Sequence, residues 1–298
     1  MNTAVLTGGT GFLGFWLLKE LVKNNVFVYV VVRKDSRRLD RLSGISGIEV
    51  IELDMDNISA LPQFVKTADV FYHLAWEGER NDFNGQMQNI KWAVNAMQIA
   101  KKMGIKQFVM TGSQAEYGIN RKQVDENSKV NPNTAYGASK LACYYLLKTL
   151  SEQIDLTLTW VRVFSVYGEG DNSNTLMSYL IKCFRENETV QLTKCTQMWD
   201  FLYAEDAAVA LYLLGKRGKA GLFNLAFGES RSLREFVIEA RNLLNPNSKL
   251  DFGVIHMDNF VNLYAKIDKI QRDIGWKPTV EFKEGILKMR GPWNGTHI

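Results

Sequence analysis

The chain has 298 residues, 46% of them hydrophobic and 23% charged, which excludes disordered, collagen-like and low-complexity classes. Thirty-six Lys and Arg against 32 Asp and Glu leave a formal net charge of +4. The basic cluster Lys34, Arg37, Arg38 and Arg41 is broken by Asp35 and Asp40, so no nucleic-acid-binding stripe is expected.

In chain order, short apolar runs rich in β-branched residues alternate with segments of helical period. Residues 4–6, 26–32, 50–53, 70–74, 107–110 and 156–163 read as strands, and residues 15–23, 58–67, 89–103 and 136–152 as helices. Runs apolar on both faces predict a parallel sheet between two helix layers, joined by right-handed crossovers. Beyond about residue 165 the rhythm weakens. Helices are expected over 175–185, 206–214 and 233–244, the last stopping at Asn245-Pro246, with a strand over 222–226. No repeat or low-complexity linker separates the two parts, so the second is expected to be woven into the first.

Three cysteines, Cys143, Cys183 and Cys195, form no CxxC pair and read as buried reduced thiols. With only His73, His256 and His297, no His/Cys metal site is expected. Residues 1–18 lack a basic n-region and an A-x-A cleavage site, and no run reaches the about 20 apolar residues that span a bilayer. A cytoplasmic protein without membrane or nucleic-acid partners is expected.

Between the first strand and the first helix lies Thr7-Gly8-Gly9-Thr10-Gly11-Phe12-Leu13-Gly14. Glycines at this spacing permit a tight turn and the close approach of a pyrophosphate to the positive end of the helix. Gly8, Gly11, Phe12, Leu13 and Gly14 are therefore candidate dinucleotide-binding residues. The strand that returns ends in Val32-Arg33-Lys34, with Arg33 nineteen residues after Gly14, where a NAD site usually offers an acid to the ribose. Arg33 and Lys34 suit a 2′-phosphate better, so NADP(H) is preferred to NAD(H). The predicted fold class is α/β: a Rossmann-type doubly wound parallel sheet with a smaller, interwoven α/β C-terminal substrate lobe. Residues 1–165 would form the dinucleotide domain, with segments around 200–226 returning to it, and 166–298 mainly the substrate lobe.

Tyr136 and Lys140 are four residues apart, hence on one helix face. A phenol with an ordinary pKa of about 10 is a poor acid–base group at neutral pH, and a cation one turn away favours its ionised form. Upstream, the strand ending in Met110-Thr111-Gly112-Ser113-Gln114 places hydroxyls at the carboxyl edge of the sheet.

Taken together, these motifs resemble those of the extended short-chain dehydrogenase/reductases, the nucleotide-sugar epimerase/dehydratase family. Gly8 to Gly14 resembles the family fingerprint. Leu53-Asp54-Met55 is similar to the segment whose Asp contacts adenine, and His73-Leu74-Ala75 to one lining the cofactor. Ser113 to Gly118, Tyr136 to Lys140, Arg162 to Gly168, Trp199 to Tyr203 and Ile274-Gly275-Trp276-Lys277-Pro278 follow in family order, so the similarity spans residues 2 to about 287. The resemblance implies cofactor contacts at Asp54, Met55, Leu74, Ala75 and Val163. It also implies a Ser113/Tyr136/Lys140 triad. In it Tyr136 exchanges a proton with the substrate oxygen as hydride moves. Lys140 holds the nicotinamide ribose and lowers the Tyr136 pKa, and Ser113 orients the carbonyl or alcohol.

Within the family, sugar 4,6-dehydratases carry Asp-Glu after the serine, and this chain has Gln114-Ala115. Loss of both carboxylates argues against dehydration, and Ala115 also replaces the Cys that fucose-type epimerase–reductases use. The expected activity is an NADPH-dependent reduction of a 4-keto deoxysugar nucleotide at C4. The alternatives are a NAD-dependent nucleotide-sugar 4-epimerase, a dihydroflavonol-type ketone reductase and a non-catalytic NADP-sensing regulator. Ser165 replaces a common Asn, and Trp199 replaces an Arg that often contacts the substrate pyrophosphate. Lys194, Arg231 or Arg234 would then substitute, or the substrate lacks a diphosphate. Gln114, Ser165, Asn174, Thr175, Trp199 and Arg231 are the candidate substrate-binding residues, and a homodimer through the helices over 89–103 and 136–152 is expected from the family.

Overall fold

A strand such as Phe27–Val32, apolar on both faces, has to be covered on both sides. The computed structural model, which describes residues 1–256 and 261–291, meets this requirement with a central sheet. The first part of the chain runs β1 (Thr3–Thr7), α1 (Phe12–Lys23), β2 (Phe27–Val32), β3 (Ile48–Glu52), β4 (Val70–His73), α2 (Phe83–Lys102), β5 (Gln107–Ser113), α3 (Ala135–Gln153) and β6 (Thr157–Val163). The second runs β7 (Ser165–Tyr167), α4 (Leu176–Glu186), β8 (Val190–Leu192), β9 (Met198–Trp199), β10 (Phe201–Tyr203), α5 (Ala204–Lys216), β11 (Gly221–Leu225), β12 (Arg231–Ser232), α6 (Leu233–Leu244), β13 (Leu250–Phe252), α7 (Asp268–Ile274) and α8 (Phe282–Lys288).

Seven strands form one sheet in the order β11-β6-β5-β4-β1-β2-β3, parallel throughout. From β1 the chain builds outward through β2 and β3, and from β4 it builds the other way. The carboxyl ends of β1 and β4 therefore flank the topological switch point, where open α/β sheets bind ligands. Strand alternation divides the core. Ala4, Leu6, Val28 and Val30 join Leu17, Leu18 and Leu21 of α1 and Ala207, Leu211 and Leu214 of α5. Val5, Val31 and Ile51 face the other way, onto Ala93, Ala96 and Met97 of α2 and Cys143 and Leu147 of α3. Full burial of one such side chain stabilises the fold by about 1.5–3 kcal/mol.

A third apolar cluster, with Phe201, Phe236, Phe282 and Ile286, lies among α4, α6 and α8. Its strands are short pairs: β7 with β10, β8 with β13 and β9 with β12. The C-terminal segment returns to the main sheet. Buried Trp276 donates its indole N–H to the Asp206 carbonyl at 3.1 Å, and the Asp206 carboxylate accepts from the backbone N–H groups of Thr279 and Val280, each at 2.8 Å.

One expected element differs. Residues 58–67 do not form an α-helix: 3₁₀ turns run over Met55–Gln63, with Asn57 off helical geometry and Pro62 inside. Pro62 lacks the N–H that a regular helix needs, yet Met55, Ile58 and Leu61 are still buried. All three cysteines are free and buried. Among the described residues no helix is long and apolar enough to cross a membrane, and no His/Cys/Asp/Glu group is arranged to hold a metal ion.

Candidate active site

The glycine-rich turn is built by exclusion. Gly8 has φ +77°, and a Cβ there would lie 2.7 Å from the Ala75 nitrogen; a Cβ at Gly14 would run into the Gly8 carbonyl oxygen. The turn closes through Gly11 N–H to Gly8 O at 2.9 Å. Gly11 caps α1 with no side-chain hydrogen bond, so the cap leaves the first N–H groups of the helix, around Phe12 and Leu13, without a side-chain acceptor, as a helix start that receives an anion requires. Beside it opens a cleft of about 760 Å³ lined by Gly8, Gly11, Arg33, Asp54, Met55, Leu74 and Ala75 among the predicted residues. Gly14 supports the turn from within α1, and Lys34 is exposed outside the lining. Val163 ends β6 in register with Ser113, at the same carboxyl edge. A backbone cradle, a helix start and a cleft of this size fit a dinucleotide.

Arg33, Arg37 and Arg38 also line the cleft. Arg33 is already engaged: its Nη1 donates to Glu77 Oε2 at 2.6 Å, from the loop after β4. Arg38 Nη2 donates to Asn172 Oδ1 at 3.0 Å, and Arg41 to the carbonyls of Thr10 (3.2 Å) and Gly170 (3.1 Å). The loop after β2 is thereby tied to the loop between β7 and α4.

Thr134 starts α3 by accepting the Gly137 N–H at 3.1 Å, which sets Tyr136 and Lys140 one turn apart. The Tyr136 backbone N–H donates to Arg80 O at 2.9 Å, and its phenol lies beside the Ser113 side chain. Burial pushes the phenol up from its ordinary value; the Ser113 side chain and the Arg80 charge act the other way. Lys140 lies one turn along α3 from Tyr136. Its ammonium lies 5.9 Å from the Tyr136 ring centre, turned instead to the Thr111 carbonyl at 2.8 Å and the Trp76 ring face at 3.7 Å. The nearby cation that favours the phenolate is Arg80, 5.4 Å from the ring centre. Lys140 is 2% exposed, and burial brings its pKa down to about 8.

The end of β5 is held by a buried ion pair. Glu116 accepts from Arg162 Nε at 2.7 Å, Trp160 Nε1 at 3.1 Å and the Ser113 backbone N–H at 2.8 Å. A Cβ at Gly112 would collide with both Trp160 Nε1 and Glu116 Oε1, so the residue before Ser113 has to be glycine.

Of the predicted substrate residues, Ser165 and Trp199 come together, Trp199 Nε1 donating to Ser165 Oγ at 2.9 Å. Gln114 follows Ser113 directly and is half-buried. Asn174 is exposed, and Thr175, the N-cap of α4, donates its hydroxyl to Asn172 O at 3.1 Å. Arg231 stands apart. It pairs with Glu239, lies 4.0 Å from the Phe236 ring centre and lines a second cavity of about 380 Å³ that includes none of Ser113, Tyr136 or Lys140. Arg234 is likewise spread over Phe252, at 3.7 Å. Asp200, fully buried, accepts the N–H groups of Phe227 (2.7 Å) and Gly228 (2.8 Å), and burial pushes its carboxyl up to about 7. Glu77, Trp76 and Arg80 were missed by the sequence reading, as were the buried amides Gln86 and Asn89 that hold their loop.

Residues 4–226 match the model of the NAD dependent epimerase/dehydratase family. The chain is 25% identical over 316 residues to a UDP-glucuronate 4-epimerase from Thermodesulfobacterium geofontis, covering 100% of this chain and 98% of that one. It is 24% identical over 299 residues to CDP-abequose synthase from Salmonella muenchen, covering 96% of each. Its fold superimposes on UDP-glucose 4-epimerase from Thermotoga maritima with a TM-score of 0.87, at 20% identity and 97% coverage of both chains. The chain belongs to the NAD dependent epimerase/dehydratase family, the extended short-chain dehydrogenase/reductases, and is an NAD(P)-dependent enzyme of the oxidoreductase type.

Proposed function

We propose that the protein is an NADPH-dependent reductase of a 4-keto deoxysugar nucleotide, acting in the cytoplasm. The observation that carries this reading is a Tyr136 phenol beside Ser113 with a buried ammonium one turn away, next to a cleft lined by Arg33, Arg37 and Arg38. Bound there, the dinucleotide would supply the hydride. Ser113 orients the C4 carbonyl, Tyr136 donates a proton to its oxygen, and Lys140 holds the nicotinamide ribose through its ammonium. Gly8, Gly11 and the start of α1 take the pyrophosphate, Asp54 and Met55 border the adenine, and Arg33 meets the 2′-phosphate. Gln114-Ala115 leaves no second carboxylate pair for water elimination. Residues 1–165 serve as the dinucleotide domain and 166–298 mainly as the substrate lobe, Trp199 and Ser165 bordering the sugar nucleotide.

A NAD-dependent 4-epimerase is the second reading, supported by the engagement of Arg33 with Glu77 and by the names of the epimerase relatives. Mild purification followed by identification of the retained dinucleotide separates the two. Exchangeable NADP(H), consumed mole for mole with a 4-keto nucleotide sugar, supports the reductase; tightly retained NAD with no net consumption overturns it. We further propose a homodimer through α2 and α3, where Phe83 (67% exposed), Met87, Tyr145 and Leu146 lie on the surface.

A further inference from the structure

A buried ammonium needs compensation for the water it has lost, and three N–H donors need partners. Among the described residues, the hydrogen-bond acceptor of Lys140 Nζ is the Thr111 carbonyl, at 2.8 Å. The closest further compensation is the Trp76 indole, whose ring centre is 3.7 Å from Nζ; the buried Glu116 carboxylate and the Cys143 thiol also favour the charge, and the buried His73 lies near enough to feel it. A π face stabilises a cation without using its N–H groups in directed bonds, so it leaves donors for an incoming ligand. The same indole meets the Tyr136 ring edge-on, at 6.3 Å and 89°, and lines the dinucleotide cleft on another side.

The orientation of the indole is fixed from behind. Trp76 Nε1 donates to Gln86 Oε1 at 2.7 Å. The fully buried Gln86 amide in turn donates to the carbonyls of Glu77, Gly78 and Glu79, at 3.4, 3.5 and 3.0 Å. Neighbouring Asn89 closes the loop base, accepting from Glu77 N at 2.9 Å and donating to Glu77 O at 2.8 Å. Two side chains of α2 thus hold the post-β4 loop so that the indole face is presented to Lys140.

We propose that Trp76 is a positioning residue: its indole face holds the Lys140 ammonium in place before the cofactor arrives, leaving N–H donors directed at the ribose. This rests on the reading of Lys140 as the group that holds the nicotinamide ribose, and preorganisation of this kind reduces the ordering that ligand binding requires.

The experiment compares the parent with Trp76→Phe and Trp76→Leu. Phenylalanine keeps a ring face and loses the Gln86 bond; leucine keeps the site apolar and loses the face. The Lys140 titration is followed by NMR of ¹³Cε-labelled lysine, assigned with Lys140→Met, and the affinity for NADPH by fluorescence titration. In Trp76→Leu the Lys140 midpoint falls by about 0.4–1.5 pH units, the range expected for loss of a desolvated cation–π contact. NADPH affinity falls about 3- to 10-fold, and Trp76→Phe restores most of both. A purely structural tryptophan would lower the melting temperature and leave the midpoint unmoved. A parental midpoint in Trp76→Leu, or a Trp76→Phe variant as impaired as Trp76→Leu, overturns the proposal. If Lys140→Met binds NADPH as the parent does, the ribose role fails, while the titration still decides whether Trp76 holds the ammonium.

Discussion

Tyr136 joins a phenol beside Ser113, a backbone N–H fixed on Arg80 O and a ring set edge-on to Trp76. Removing its hydroxyl deletes the proton donor and leaves that packing in place. Tyr136→Phe is therefore expected to lose about 10²- to 10⁴-fold in kcat while retaining its affinity for NADPH. Turnover at the parental level would exclude Tyr136 as the acid, and an unchanged regulatory output without turnover would favour a sensor. The sequence exposed Ser113, Tyr136 and Lys140 because helical spacing and a strand end are local patterns. It did not expose Arg80, Trp76 or Glu77, which lie on an irregular loop. Their positions depend on Gln86 and Asn89, amides whose burial no spacing rule announces. The direction taken by the Lys140 ammonium was likewise unreadable, because it depends on Trp76, sixty-four positions earlier.

At the scale of elements, the loop after β2 supplies the basic side chains of the cleft. The missing acid at Arg33 was plain in sequence; that Arg37 and Arg38 rather than Lys34 would join it in the lining, and that Glu77 would reach across from the loop after β4, was not. On the NADPH reading Glu77 would compete with the 2′-phosphate for the same guanidinium, although the pair is exposed and so contributes little on its own. Glu77→Gln should raise NADPH affinity about 2- to 5-fold with little effect on NADH, as measured by parallel fluorescence titrations. Equal effects on both cofactors would remove Arg33 from 2′-phosphate recognition. The alternation of strands and helices was legible throughout the main sheet, because each run is long enough to show its period. The strands β7 to β10, β12 and β13 were not, since two or three residues carry no period and tertiary pairing alone defines them.

For the molecule as a whole, two buried titratable groups give stability a pH dependence of opposite sign. His73, buried beside Thr7, has its pKa pushed down to about 3 by burial. As pH falls from 6.5 toward 3 the unfolded chain takes up a proton that the fold refuses, and stability is lost at up to about 1.4 kcal/mol per pH unit. Asp200, raised to about 7, takes up its proton in the fold first, so between pH 7 and about 4 it contributes stability on acidification. His73→Asn should therefore gain stability relative to the parent as pH is lowered from 7 to 4.5, read from urea midpoints. A constant difference between the two proteins across that range would show that His73 does not carry the acid sensitivity.

The return of the chain to its own sheet also has a consequence in time. A ribosome delivers β6 long before β11, and Trp276 follows 113 residues after Val163. At about 5–20 residues per second, the nascent protein would carry an open β6 edge for roughly 3–12 s until Leu225 is made, and Asp206 would wait roughly 4–14 s for Trp276. An unpaired edge in that interval is a template for misassembly. Chaperone demand should accordingly fall on the half-made main sheet, and a message that stalls before Gly221 would release a product that lacks its edge strand β11.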